Sequence, residues 1–129
     1  MKHFNYNQAL SAIHQKHGAF FALSSEQFKE QKKEGVQYAS MGCGLICPKE
    51  NCDTLYKEME ALFSQKIQWE LEHNTKKEII WYELGNHECQ ISGGIESIVG
   101  LMESYGITRD EILAEWPGYF QHCVENDYF

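Results

Sequence analysis

The chain has 129 residues, of which 43% are hydrophobic and 13% aromatic, with only two prolines. This suits one folded domain with a real core and excludes a disordered chain or two domains of ordinary size. The formal net charge of −8 has the wrong sign for a duplex nucleic-acid binder, which must displace counterions with Lys and Arg. The acids alternate with Lys along helical stretches instead of forming one block, so a nucleic-acid mimic is not expected either.

Asn5 or Asn7 can cap a first helix carrying Leu10, Ile13, His14 and His17 at helical spacing, with Gly18 as its stop. Ala19 to Leu23 is a short Phe-rich apolar run and reads as a buried strand. Ser24 with Gln27 fits a capping box for a polar helix to about Lys33, ended by Gly35. Val36 to Met41 predicts a second strand. Gly42-Cys43-Gly44 predicts a bend or bulge before Leu45 and Ile46 continue the extended path.

Pro48 suits the first turn of a helix, which places Cys47 at its N-cap. Cys52, Leu55, Met59, Leu62, Phe63, Ile67 and Leu71 then recur at spacings of three and four, predicting the main structural helix of the molecule. Asn74 is expected to end it in the left-handed conformation. Thr75 with Glu78 opens the next helix, which should bury Ile79, Ile80 and Leu84 and deliver Glu83, Asn86, His87 and Glu88 at its C-terminal end. Gly93-Gly94 breaks the chain before a helix that buries Ile95, Ile98, Val99 and Met102. Gly106 stops that helix, and Thr108 with Glu111 caps another carrying Ile112, Leu113 and Trp116. Pro117-Gly118 is expected to end it, leaving residues 117–129 either packed through Phe120 and Tyr128 or mobile.

The expected fold is therefore α+β, a mostly helical single domain over 1–129, with about five or six helices around a two- or three-stranded sheet. No apolar run approaches the about 20 residues of a membrane span. The polar start carries no sign of a signal peptide, so a cytoplasmic protein without membrane contact is expected. In that compartment the five cysteines should be reduced thiols.

Polar chemistry concentrates between Glu83 and Cys89. Glu83 and His87 share a helix face, and with Cys89 they could offer carboxylate, imidazole and thiolate to a divalent metal, although the spacing matches no established zinc motif. Cys47 at a helix N-cap would be pushed toward thiolate, and with His87 as base and Asn86 or Glu88 as orienter it would form a cysteine-nucleophile site. The plainer alternative makes Asn86, His87 and Glu88 a structural cluster that ties down the helix end by hydrogen bonds. His14 and His17 share a face but read as structure. Trp69, Trp81, Tyr82 and Trp116 could stack bases, yet without flanking Arg or Lys they read as core and interface.

Gly18-Ala19-Phe20-Phe21-Ala22-Leu23-Ser24, the run from Gly42 to Asn51, Asn86-His87-Glu88-Cys89 and Tyr105-Gly106-Ile107-Thr108 resemble a family of small uncharacterised proteins of bacteriophages and bacterial mobile elements. The resemblance spans roughly 18–114 and implies a genomic setting, with no activity, ligand or catalytic residue attached. That setting and the acidic surface point to a non-enzymatic interaction or regulatory protein acting on a host protein; no cofactor is expected, and a homodimer is a further option. The alternative is a small metal-binding or cysteine/histidine hydrolase-like enzyme centred on His87. Convergence of His87, Glu83 and a Cys sulfur on one exposed cavity would favour the enzyme, and a buried, hydrogen-bonded His87 the binder.

Overall fold

Three side-chain caps set the helix starts. Ser24 Oγ accepts from the Gln27 N–H at 3.2 Å, and Thr75–Glu78 and Thr108–Glu111 both close complete capping boxes. The computed structural model describes all residues, Met1–Phe129. It has seven α-helices and a small antiparallel sheet, an α+β architecture dominated by helix. The chain divides into two compact units, Asn5–Gln65 and Met1–Phe4 with Lys66–Phe129.

In the first unit, α1 (Tyr6–Lys16) ends at Gly18, whose φ of +69° is the left-handed stop that glycine supplies without strain. The strands β1 (Phe20–Phe21), β2 (Tyr38–Ser40) and β3 (Leu45–Pro48) pair antiparallel in the order β1-β3-β2, and α2 (Ser25–Gln31) lies between β1 and β2 in sequence. The Ala19 to Leu23 run is strand for two residues only, and Phe21 is exposed instead of buried. Gly42-Cys43-Gly44 is a hairpin turn, not a bulge in a continuing strand. All three residues have positive φ, and Met41 N–H donates to the Leu45 carbonyl at 2.8 Å. Gly44, with φ +82°, takes a left-handed conformation that glycine adopts without strain, and the exposed Leu23 side chain lies over it. Leu45, Cys47 and Leu55 form the core here, with Ile13, Met41 and Met59 packed against it.

Pro48 ends β3, a 3-10 turn follows at Lys49–Asn51, and α3 (Cys52–His73) begins only afterwards. Cys47 is thus a fully buried strand residue and has no helix N-terminus to act on it. Burial, followed by the charge of Cys52, pushes its thiol up to about 11, away from thiolate.

In the second unit, the end of α3 is followed by α4 (Lys76–Asn86), the single turn α5 (Cys89–Ser92), α6 (Glu96–Ser104) and α7 (Arg109–Asn126). Asn74 does not take the left-handed conformation. Its side chain caps α3 instead, donating to the Glu70 carbonyl at 3.0 Å and pairing with both backbone groups of Lys2 at 2.7 and 2.8 Å. α4 packs on α5, α6 and α7 through Ile79, Ile80 and Leu84, all buried as their spacing requires.

Pro117 does not end α7, which runs through it to Asn126. A proline there costs about 3 kcal/mol, since the Leu113 carbonyl loses its N–H partner. Burial of Tyr119 and Cys123 beyond the proline offsets that cost. The Tyr119 ring meets Trp81 edge-on at 5.8 Å, anchoring the last turns of the helix to α4.

Candidate functional site

The stretch Glu83–Cys89 is a helix end held by its backbone. His87 is the C-cap of α4, its N–H donating to the Glu83 carbonyl at 3.0 Å, and the Glu88 N–H reaches the Gly85 carbonyl at 3.1 Å. Glu88 turns left-handed, with φ 51°, and its carbonyl receives the N–H groups of Ile91 and Ser92. Asn86 and Glu88 point to solvent. The His87 ring is 37% exposed, and its polar contact is Nε2 to Glu83 Oε2 at 3.4 Å, without a backbone carbonyl.

The i, i+4 pairing of Glu83 with His87 is therefore present, but the side-chain clamp on the turn is not. Cys89 is buried with Sγ 3.4 Å from Ser97 Oγ. No group of three or more His, Cys, Asp or Glu side chains is placed to hold a metal ion, so Glu83, His87 and Cys89 do not form the expected ligand set. Cys47 belongs to the other unit. His14 and His17 are both buried, and His17 Nε2 stands 2.7 Å from Glu58 Oε2, so that face carries a side-chain hydrogen bond the helical spacing alone did not reveal.

Two features went unread in the sequence. The first is a buried polar network. Glu70 is 1% exposed on α3, and Oε2 accepts from Tyr105 Oη and from Lys66 Nζ at 3.2 Å, while Lys66 also donates to Tyr105 Oη at 3.1 Å. Burial, reinforced by that bond to Glu70, holds the Tyr105 phenol far above its ordinary range, so it remains a donor. The spacing did carry a signal, because Lys66 and Glu70 continue the i+4 row of Leu62 along the apolar stripe.

The second is a cleft of about 520 Å³ lined by residues of α4 and α7, with Met1, Gln90 and Tyr128. Trp81, Tyr82, Tyr119, His122 and Tyr128 supply its rings. Gly85 lies in its lining. A Cβ at Gly85 would stand 3.4 Å from Tyr119 Oη and one at Gly118 3.6 Å from the Trp81 ring, both ordinary contact distances. Tyr119 Oη donates to Gln90 Oε1 at 2.8 Å, and Gln90 Nε2 donates to the Tyr128 carbonyl at 3.0 Å, so the polar groups beneath the rings are satisfied among themselves. Burial first, then Cys123, raises the Tyr119 phenol far above its usual value. Trp81 Nε1 donates to Glu115 Oε2 at 2.9 Å, which fixes the indole plane. None of Glu83, Asn86, His87, Glu88 and Cys89 lines this cleft.

A family model described as a family of unknown function, DUF7659, matches residues 5–122. The chain belongs to this family. The match takes in both units and nearly all of α7, beyond the 18–114 span of the sequence resemblance, and so includes Trp81, Tyr119 and His122 of the cleft. The chain matches no curated protein and no solved structure. Membership in DUF7659 thus brings no activity with it, and the cleft and the polar turn have to be weighed on their own geometry. No helix is long and apolar enough to cross a membrane.

Proposed function

We propose that this DUF7659 member is a non-enzymatic interaction protein that regulates another protein, engaging it through the aromatic cleft of α4 and α7. The observation that carries the reading is the character of that cleft. It has room for a side chain or small ligand, its walls are ring faces, and the hydrogen-bonding groups beneath them already serve one another. Such a surface offers contact area and orientation.

The sequence resemblance supports a phage or mobile-element setting, and with it a cytoplasmic host protein as the target. Affinity capture from cell extract with the native chain, compared against Trp81→Leu, tests the reading. A partner retained by the native chain and lost by the variant is expected, and an identical set of partners on both would overturn it.

One observation favours the enzyme alternative centred on His87. Glu83 Oε2 is buried without a hydrogen-bond partner, 3.4 Å from the half-exposed imidazole, as in a carboxylate-oriented histidine. If that pair is catalytic, Glu83→Gln will abolish a function that Trp81→Leu leaves intact.

A further inference from the structure

We propose that the cleft receives an organic cation, the ammonium or guanidinium group of a Lys or Arg side chain presented by the partner protein. The proposal rests on the reading of this cleft as the recognition site.

The molecule already shows the mode of binding with a cation of its own. Lys77 Nζ stands over the Trp81 ring, 4.9 Å from its centroid, within the range in which the negative ring face attracts an ammonium. Lys77 is exposed and lies one helical turn before Trp81. Its side chain is therefore a flexible occupant that an incoming cation can replace at little structural cost.

Around this position the surroundings are aromatic and carry charges of both signs. Glu115 holds the indole N–H at 2.9 Å and orients the ring face. Glu78 lies in the wall, its carboxyl held below the usual range by the Thr75 backbone N–H and then its hydroxyl, with the Met1 amino group and Lys2 acting in the same direction. Tyr82 and Tyr128, both exposed, extend the ring surface beyond Trp81.

An anionic ligand would find Lys77 already over the Trp81 ring and the Met1 amino group already acting on Glu78, on a chain whose net charge is −8. A neutral polar ligand would find Gln90 already engaged on both sides. A cation gains from the rings and the long-range field together.

The test uses the full chain and four probes. These are the blocked tripeptides Gly-Lys-Gly and Gly-Arg-Gly, tetramethylammonium chloride and sodium benzoate, each titrated while the Trp81 indole N–H resonance and Trp fluorescence are followed. Both peptides are expected to shift the Trp81 signal. Lys77→Met removes the internal competitor and should tighten their binding about threefold, the worth of an exposed cation–ring contact. Trp81→Leu, or Tyr128→Ala should the first variant melt early, should weaken it.

Absence of any shift with both peptides, or weaker peptide binding in Lys77→Met, would overturn the proposal. So would preference for benzoate, and tighter binding of tetramethylammonium than of either peptide would overturn the peptide source. Failure here combined with loss of the captured partner in Trp81→Leu sinks the cation and leaves the cleft as the recognition site. If the partner is retained in Trp81→Leu, that reading falls too.

Discussion

Tyr105→Phe removes one oxygen from the most deeply buried polar network in the chain, and the structure fixes what that oxygen does. Glu70 is 1% exposed, and Tyr105 Oη and Lys66 Nζ both donate to its Oε2. Phe preserves the ring that fills the site, so the loss is confined to a hydrogen bond donated to a charged group and to the second contact of Lys66 at 3.1 Å. Hydrogen bonds to charged groups contribute about 1.5–3 kcal/mol, and no water replaces the hydroxyl at so enclosed a position. A loss of about 2 kcal/mol is expected, which for a chain of this size lowers Tm by roughly 8 °C. The assay is urea unfolding followed by circular dichroism, with Glu70→Gln and the double variant completing a cycle. The double variant should be more stable than the sum of the two losses implies, because removing the carboxylate charge relieves the demand for the phenol. A Tyr105→Phe midpoint within about 0.5 kcal/mol of the parent, or strict additivity in the cycle, would refute the assignment of Oη as the partner that holds Glu70.

His14 is buried with Nε2 unpaired, and burial lowers its pKa from 6.5. The unfolded chain therefore binds a proton before the folded one does, so the contribution of His14 is complete above pH 6.5 and declines as pH falls through the folded value. His14→Phe should flatten stability against pH as pH falls below 6.5, and an unchanged slope in denaturant titrations would show that another group sets it. Iodoacetamide at neutral pH should label the exposed Cys43 and spare Cys47, whose thiol is buried and raised to about 11, until the chain is unfolded; peptide mass mapping reads this directly. Leu62→Ala on the buried face of α3 is expected to cost about 2–5 kcal/mol, and a parental midpoint would place that face wrongly. His87→Ala should change stability by no more than about 1 kcal/mol, since its ring is 37% exposed and meets only Glu83 at 3.4 Å; a larger loss by thermal unfolding would mean that the ring clamps the turn after all.

Helix starts and buried faces were legible because each is a local code. A Thr three residues before a Glu satisfies the first N–H groups whatever lies around it, and the 3.6-residue period places Ile79, Ile80, Leu84, Ile98 and Met102 inside. Proline was misread twice, because its local meaning depends on distant packing. Pro48 ends a strand where it pairs with Tyr38, and Pro117 sits inside a helix whose far half is buried. Cys47 followed Pro48 into error, and with it the low-pKa thiol expected at a helix N-terminus. The cleft escaped for a different reason. Trp81 and Tyr82 are adjacent, but Tyr119 and His122 join them only because α7 passes through Pro117, so an expected break at that residue removed half of the site.

That dependence bears on what the two prolines and glycines of this chain are for. A Cβ added at Gly85 would stand 3.4 Å from Tyr119 Oη, and one added at Gly118 3.6 Å from Trp81, one from each helix of the cleft. In a helix interior a glycine costs about 1 kcal/mol relative to alanine, and Gly118 directly follows a proline that costs about 3 more. A sequence selected only for the stability of α7 would carry neither residue. A Cβ would fit at ordinary contact distance at Gly85 and at Gly118, so what marks the cleft is that the rings on either side of it are fixed. Trp81 is held in place by Glu115, and Tyr119 by Gln90. The polar turn at His87 carries an expense of its own, for Glu83 Oε2 is buried unpaired and Glu88 is left-handed, although its backbone hydrogen bonds are those any helix end requires. What sets the cleft apart is a hollow whose rings are anchored on both sides, the pattern expected of a recognition site, and it weighs toward the cleft over the turn.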